Sequence, residues 1–202
     1  MKSKIAGIVF LIGGLYYLIA EVISALAYND TLVNTYLTYT ISELGVPSLN
    51  SPLSFLMNSA FILIGLIFIF CNFYRFKDYI IKNRVLFHIL TLVCSLGVII
   101  VGFIHADNPI SLTYHSFGAI MAILGGNLLL VLVSRSMSEF GIYQKISLVL
   151  GCIGIIAFWV MFFNMETSIM PLFERIAVYA LIIWILMTGG YLLKNPNPVS
   201  VD

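Results

Sequence analysis

Six long apolar runs, at about 5–27, 53–73, 85–104, 115–133, 146–165 and 175–193, leave this chain few ways to fold. Each approaches the roughly 20 residues a helix needs to cross a hydrocarbon core. Lipid offers the backbone no hydrogen bonds, so a run of that length must satisfy its own N–H and C=O groups, and helix is the answer. Water is a poor alternative solvent: with 61% hydrophobic and 9% charged residues the chain would expose large apolar patches. The expected fold is therefore an all-α integral membrane bundle of six transmembrane helices, one domain over residues 1–202. Lys2 and Lys4 precede an apolar stretch, Ile5 to Ala27, that is too long for a signal-peptide core, and no small-x-small cleavage site followed by a soluble domain appears. It reads as the first span.

Six crossings return both termini to one side. Lys2, Lys4, Arg75, Lys77, Lys82, Arg84, Arg135, Lys145 and Lys194 fall on that side and only Arg175 falls opposite, nine of ten basic residues. The positive-inside rule then predicts a multi-pass protein of the cell membrane with cytoplasmic N and C termini. The acids Glu21, Asp30, Glu43, Asp107, Glu166 and Glu174 lie at or near the outer face. A net charge of +1 argues against a nucleic-acid partner. Cys71, Cys94 and Cys152 sit inside apolar runs, where neither a disulfide framework nor a paired-cysteine zinc site is expected.

The inner connections, Tyr74–Arg84 and Ser134–Lys145, are short and basic and suit headgroup anchoring. The first outer connection, Tyr28–Pro52, is longer than a tether requires and is expected to fold as a cap. The other two are expected around His105–Tyr114 and Met165–Glu174. Small residues mark candidate helix contacts: His115, Ala119, Ala122 and Gly126 share one face, and Gly151, Gly154, Gly189 and Gly190 fall in the last two spans.

Polar residues inside such a chain need partners, because burying them in lipid is costly. The densest polar stretch, Thr40-Ile41-Ser42-Glu43-Leu44-Gly45-Val46-Pro47, lies in the first outer connection. Glu21 lies about 9 Å below the end of the first span and shares a face with Tyr17, Ser24 and Tyr28. It reads either as a clasp to a neighbouring helix or as the wall of a polar cavity. Asn58, at comparable depth in the second span, reads as interhelical glue or a ligand contact. Asn127 is placed as structural and His88 as interfacial. His115, beside the His105-Ala106-Asp107 turn, either pins the cap through Glu43 or Asp107 or takes part in chemistry. His115, Asp107, His105 and Glu43 supply ligand types suited to zinc. Ser42, His115 and Asp107 supply the types of a serine hydrolase, without the glycines of a nucleophile elbow. Arg175 would bind a lipid phosphate or pair with an acid.

The ordered set Ser42-Glu43-Leu44-Gly45, Asn58, Gly102-Phe103-Ile104-His105-Ala106-Asp107 and His115-Ser116-Phe117-Gly118-Ala119 resembles a prokaryotic six-helix membrane family known as domain of unknown function 998, over roughly residues 5–193. His105 stands where that family's pattern has proline. The resemblance implies a polar outward-facing site built from Ser42, Glu43, Asp107 and His115, and it implies no established activity. The expected function is binding of a lipid headgroup or lipid-linked small molecule in an outward pocket, with Glu21, Asn58 and Arg175 as ligand contacts and membrane lipids as partners. An intramembrane lipid hydrolase or transferase using His115 and outer acids, with or without zinc, is the alternative, and a proton-coupled transporter using Glu21 comes last. No cofactor is otherwise expected.

Overall fold

The computed structural model describes residues 1–28, 31–49, 51–137 and 141–198. Asp30 and parts of the Tyr28–Pro52 and Ser134–Lys145 connections lie outside the described residues. Seven α-helices and no strand are present among those described: α1 Lys2–Leu26, α2 Leu32–Thr38, α3 Ser54–Tyr74, α4 Arg84–Phe103, α5 Pro109–Ser136, α6 Ile142–Phe163 and α7 Met170–Lys194. All but α2 are long and apolar enough to cross a membrane.

Two helices begin about five or six residues earlier than the apolar runs do. α5 starts at Pro109, about six residues before its expected start, because Asn108 caps it: the Asn108 side chain accepts from the amides of Ile110 (3.1 Å) and Ser111 (3.0 Å), and the Ser111 hydroxyl accepts from the Asn108 amide. Proline in the first turn adds a preset φ. α7 likewise starts at Met170, so Glu174, expected in the outer connection, belongs with Arg175 to its first turns. Apolar runs report which residues meet lipid, whereas capping decides where helix begins. The short α2 has its own cap, the Thr31 hydroxyl accepting from the Asn34 amide at 3.2 Å.

The six long helices close into a ring in which each packs on the next, α1 on α3, α3 on α4, then α4, α5, α6 and α7 in order, and α7 back on α1. Close backbone approach seals two of these contacts. A side chain on Gly97 of α4 would meet the Gly118 carbonyl at 2.6 Å and Met121 at 2.7 Å on α5, and one on Gly7 of α1 would meet the Gly189 carbonyl of α7 at 2.8 Å. Of the expected small-residue contacts, Gly126 faces Leu181 of α7 and Cys94 of α4, whereas Gly190 has no neighbour within 4 Å of a Cβ position. Gly154 lies against the Asn127 side chain, which donates to the carbonyls of Ile123 (2.8 Å) and Ala177 (3.1 Å) and joins α5 to α7.

Both chain ends meet at one end of the ring. Ser3 donates to the Pro196 carbonyl at 2.6 Å, and Arg75, just past α3, donates to both Ser3 and Pro196. Above this terminal end the ring is filled by aromatic packing, with Trp184 in edge or tilted contact with Phe10, Phe68 and Phe76 at centroid distances of 5.6–6.4 Å. The opposite half is not filled in this way, and the site lies there. Gly97→Ala is expected to destabilise the detergent-solubilised protein by about 1–3 kcal/mol through overpacking, whereas Gly190→Ala should be neutral or slightly stabilising. Denaturant titrations of the two variants give the comparison, and equal stability would contradict the assigned α4–α5 contact.

Candidate functional site

A cavity occupies the half of the ring away from the termini, between α1, α3, α4, α5 and α7. Its volume, measured to the centre of a water-sized sphere, is about 70 Å³, several times the roughly 10–15 Å³ one water needs on that measure. The walls are mainly aliphatic and aromatic, among them Phe61, Phe68, Val98, Ala122 and Ile182. Ile41 and Ser42 close one end, beside Glu174 and Tyr17. Along α7 the lining runs from Glu174 to Ile185, about 16 Å at 1.5 Å per residue.

The 40–49 segment folds over that end as two short 3₁₀ turns, Glu43–Gly45 and Pro47–Leu49, with Ile41, Leu44 and Val46 buried beneath. Its first turn closes on itself. The Glu43 amide donates to the Thr40 hydroxyl at 3.2 Å, and the Glu43 carboxylate accepts from the Thr40 amide at 2.7 Å and its hydroxyl at 2.9 Å. This is the reciprocal capping arrangement that Thr-x-x-Glu encodes. Ser42 shares a hydrogen bond with Thr40 at 3.2 Å.

Three outside groups hold the segment. From α7, the Glu174 carboxylate accepts from the amides of Ile41 and, at 3.4 Å, Ser42. From α3, the Asn58 amide nitrogen donates to the Gly45 carbonyl at 2.7 Å and to His105 Nε2 at 2.8 Å. Gly45 can have no side chain, since a Cβ there would run into Asn58. From the α4–α5 connection, Asp107 accepts from Ser48 and lies 3.7 Å from His105 Nδ1. With Nε2 taking the Asn58 hydrogen, the neutral His105 ring carries its proton on Nδ1, facing Asp107.

Beside this, α1 and α7 are joined by a buried ion pair. Arg175 Nε donates to Glu21 at 3.2 Å, with side-chain exposures of 5% and 0%. Tyr179 donates to the other Glu21 oxygen at 2.8 Å. Arg175 also donates to the carbonyls of Tyr36 (2.9 Å) and Tyr39 (2.7 Å), where α2 ends, and its guanidinium lies 4.4 Å from the Tyr36 ring centre. A cation at a helix C terminus meets the negative end of the dipole, and the π face adds to the attraction. Burial, and secondarily the Glu21 charge, push the Tyr36 phenol up from its ordinary range.

The sequence-derived candidates thus gather at one end of the ring; of the expected combinations, the pairing of Arg175 with an acid is present, and those that join His115 to Glu43 or Asp107 are not. Glu21 and Arg175 meet; Asn58, His105 and Asp107 form a chain; Glu43 bonds within its own turn. His115, expected to pin Glu43 or Asp107, instead donates from Nδ1 to the Ile104 carbonyl at 2.6 Å, because α5 extends upward past it and brings its ring beside the end of α4. Ser42, His115 and Asp107 form no hydrogen bonds with one another. Of the four side chains suited to zinc, His105, Asp107 and Glu43 are engaged with Asn58, Ser48 and Thr40, while His115 Nε2 is buried without a partner. No group of three or more His, Cys, Asp or Glu side chains that could hold a metal ion occurs among the described residues. Sequence reasoning places Glu174 only among the outer acids and does not reach Tyr179 or Ser95. The Arg175–Tyr179 i,i+4 spacing is the available signal for Tyr179, and nothing local distinguishes Glu174.

The family model described as "Protein of unknown function (DUF998)" matches residues 11–191. No curated protein and no solved structure matches the chain.

Arg175→Met strands a buried carboxylate and is expected to cost about 3–5 kcal/mol. Adding Glu21→Gln should restore part of that loss, and additivity in the double-mutant cycle would show the pair to be uncoupled. Glu174→Leu should speed hydrogen exchange at Ile41 and Ser42 by about tenfold or more, leaving the middle of α7 protected. Unchanged exchange there would remove Glu174 from its holding role.

Proposed function

The chain belongs to the DUF998 family of membrane proteins, and we propose that it binds a lipid or lipid-linked small molecule, with the apolar chain in the cavity and the polar head near Ser42. One observation carries the reading: an almost wholly apolar cavity that has Tyr17, Ser42 and Glu174 at one end. That asymmetry matches an amphiphile, whose tail gains from apolar walls while its head requires polar partners.

In this reading the 40–49 segment is a lid. Glu174, Asn58 and Asp107 hold it from three directions, Glu43 stiffens its first turn, and His115 fixes the backbone at Ile104. Ser42 is the lid residue that meets the ligand head, with Tyr17 and Glu174 beside it. Glu21 and Arg175 set the position of α2 and the lid's entry at Tyr39. Nine of ten basic residues at the terminal end support cytoplasmic termini in the cell membrane, which puts the head on the outer face.

The test is native mass spectrometry of protein extracted with its own lipids. Wild type should carry a bound amphiphile. Val98→Phe and Ala122→Leu, which fill the cavity, should lose it while keeping the wild-type melting temperature within a few degrees. A wild type free of lipid, or filled variants that retain it, would refute the proposal. Reporter fusions at the C terminus test the orientation, and an external C terminus would reverse the placement of the head.

A further inference from the structure

Several hydroxyls on the long helices of this protein turn back onto their own backbone. Ser59, Thr113, Ser134, Ser147 and Thr188 each donate to a carbonyl three or four residues earlier, at 2.6–3.0 Å. This is the ordinary solution for a helical hydroxyl in apolar surroundings. Ser95, in the middle of α4, does not adopt it. The residue is fully buried, and its Oγ has no hydrogen-bond partner. Two other buried hydroxyls, Thr35 and Ser136, share that condition among the described residues, but only Ser95 lines the cavity.

Gly65 of α3, also in the lining, lets α3 close on α4 at this level: a Cβ there would press on the Ser95 carbonyl at 2.9 Å and Ile99 at 2.7 Å. Cys94, the adjacent lining residue, points its thiol to the Ala122 carbonyl at 3.4 Å and so is already satisfied. An unpartnered hydroxyl in an otherwise apolar wall lowers stability, and alanine of nearly the same size would remove that cost. Its presence is accounted for if something in the cavity bonds to it.

Depth follows from helix geometry. Ser95 lies eight residues from the Phe103 end of α4, and Glu174 four residues from the Met170 end of α7. Cys94 and Leu181 both close on Gly126, so the neighbouring Ser95 lies near the level of Leu181, seven residues below Glu174 along α7 and roughly 10 Å deeper at 1.5 Å per residue.

We propose that Ser95 Oγ is a ligand contact, and that the molecule bound in the cavity carries an oxygen function, hydroxyl, ether or carbonyl, part-way along its chain below the head. The inference rests on the cavity binding an amphiphile. A hydroxyl both donates and accepts, so all three oxygen functions are recognised by the same atom. A plain hydrocarbon chain would leave Ser95 unmet.

The experiment measures binding of tetradecanol and of the tetradecanediols, whose second hydroxyl is moved stepwise down the chain, to the full protein in nanodiscs. One diol of intermediate spacing should bind wild type about three- to tenfold more tightly than tetradecanol. Ser95→Ala should abolish or invert that preference, bind tetradecanol as wild type does, and melt at or above the wild-type temperature without ligand. Ser95→Thr, which keeps the hydroxyl, should keep the preference. No preferred diol, a preference that survives Ser95→Ala, or a lower melting temperature for Ser95→Ala would overturn the assignment. Failure of every alcohol to bind wild type would overturn the cavity reading itself, and the Ser95 contact with it.

Discussion

Everything at the working end of this bundle depends on how one guanidinium is buried. Arg175 sits in the first turns of α7 with almost no surface exposed, and a charge in that position must be surrounded by acceptors. Glu21 reaches it from α1, and Tyr179 takes the second carboxylate oxygen. The carbonyls of Tyr36 and Tyr39 come from the chain between α1 and α3. One side chain therefore closes the ring of helices between its last and first members and sets where the connection leaves α2. The 40–49 segment begins at the residue after Tyr39, so its placement follows from the same contact.

That placement gives the interior its two halves. Toward the termini, Trp184 with Phe10, Phe68 and Phe76 fills the ring, and the chain ends are tied together below. Away from them, alanine at positions 119 and 122 leaves room that the larger neighbours do not occupy. The result is an apolar cavity with polar groups at the end under Ile41 and Ser42. Among the described residues α6 contributes nothing to its lining, because α5 and α7 touch in front of it. A path from residue choice to ligand binding runs through packing: small residues facing inward, aromatic closure below, and a segment held by hydrogen bonds above.

Much of this is legible in the amino-acid sequence, and the reasons differ by residue. The six spans follow from long apolar runs, since an isolated chain segment in lipid has no other way to satisfy its backbone. Thr40-Ile41-Ser42-Glu43 stands out for its polarity, and the local arrangement behind it is a capping box that needs only residues three apart. Glu21 reads from sequence as either a clasp or a cavity wall, and its bonds to Arg175 and Tyr179 are those of a clasp. Helix starts are less legible. Polarity hides the Asn108 cap, so hydropathy starts α5 at His115, and the earlier true start turns His115 toward Ile104. Gly118, Ala122 and Gly126 fall at four-residue spacing on α5, but nothing in the sequence names Gly97 of α4 as the residue that meets the first two.

By itself the sequence determined what depends on composition and near neighbours: an all-helical membrane chain, the number of long helices, the clustering of basic residues, and the self-closing turn at Thr40 and Glu43. Tertiary structure decided what depends on partners far apart in the chain. Glu174 meets Ile41 across 133 positions and Arg175 meets Glu21 across 154. Nothing near Ser95 in the sequence reveals that its hydroxyl lacks a partner, because that requires knowing which atoms the other helices bring to it. A buried group's partner is set by the closure of the whole ring, and local sequence carries no record of that closure.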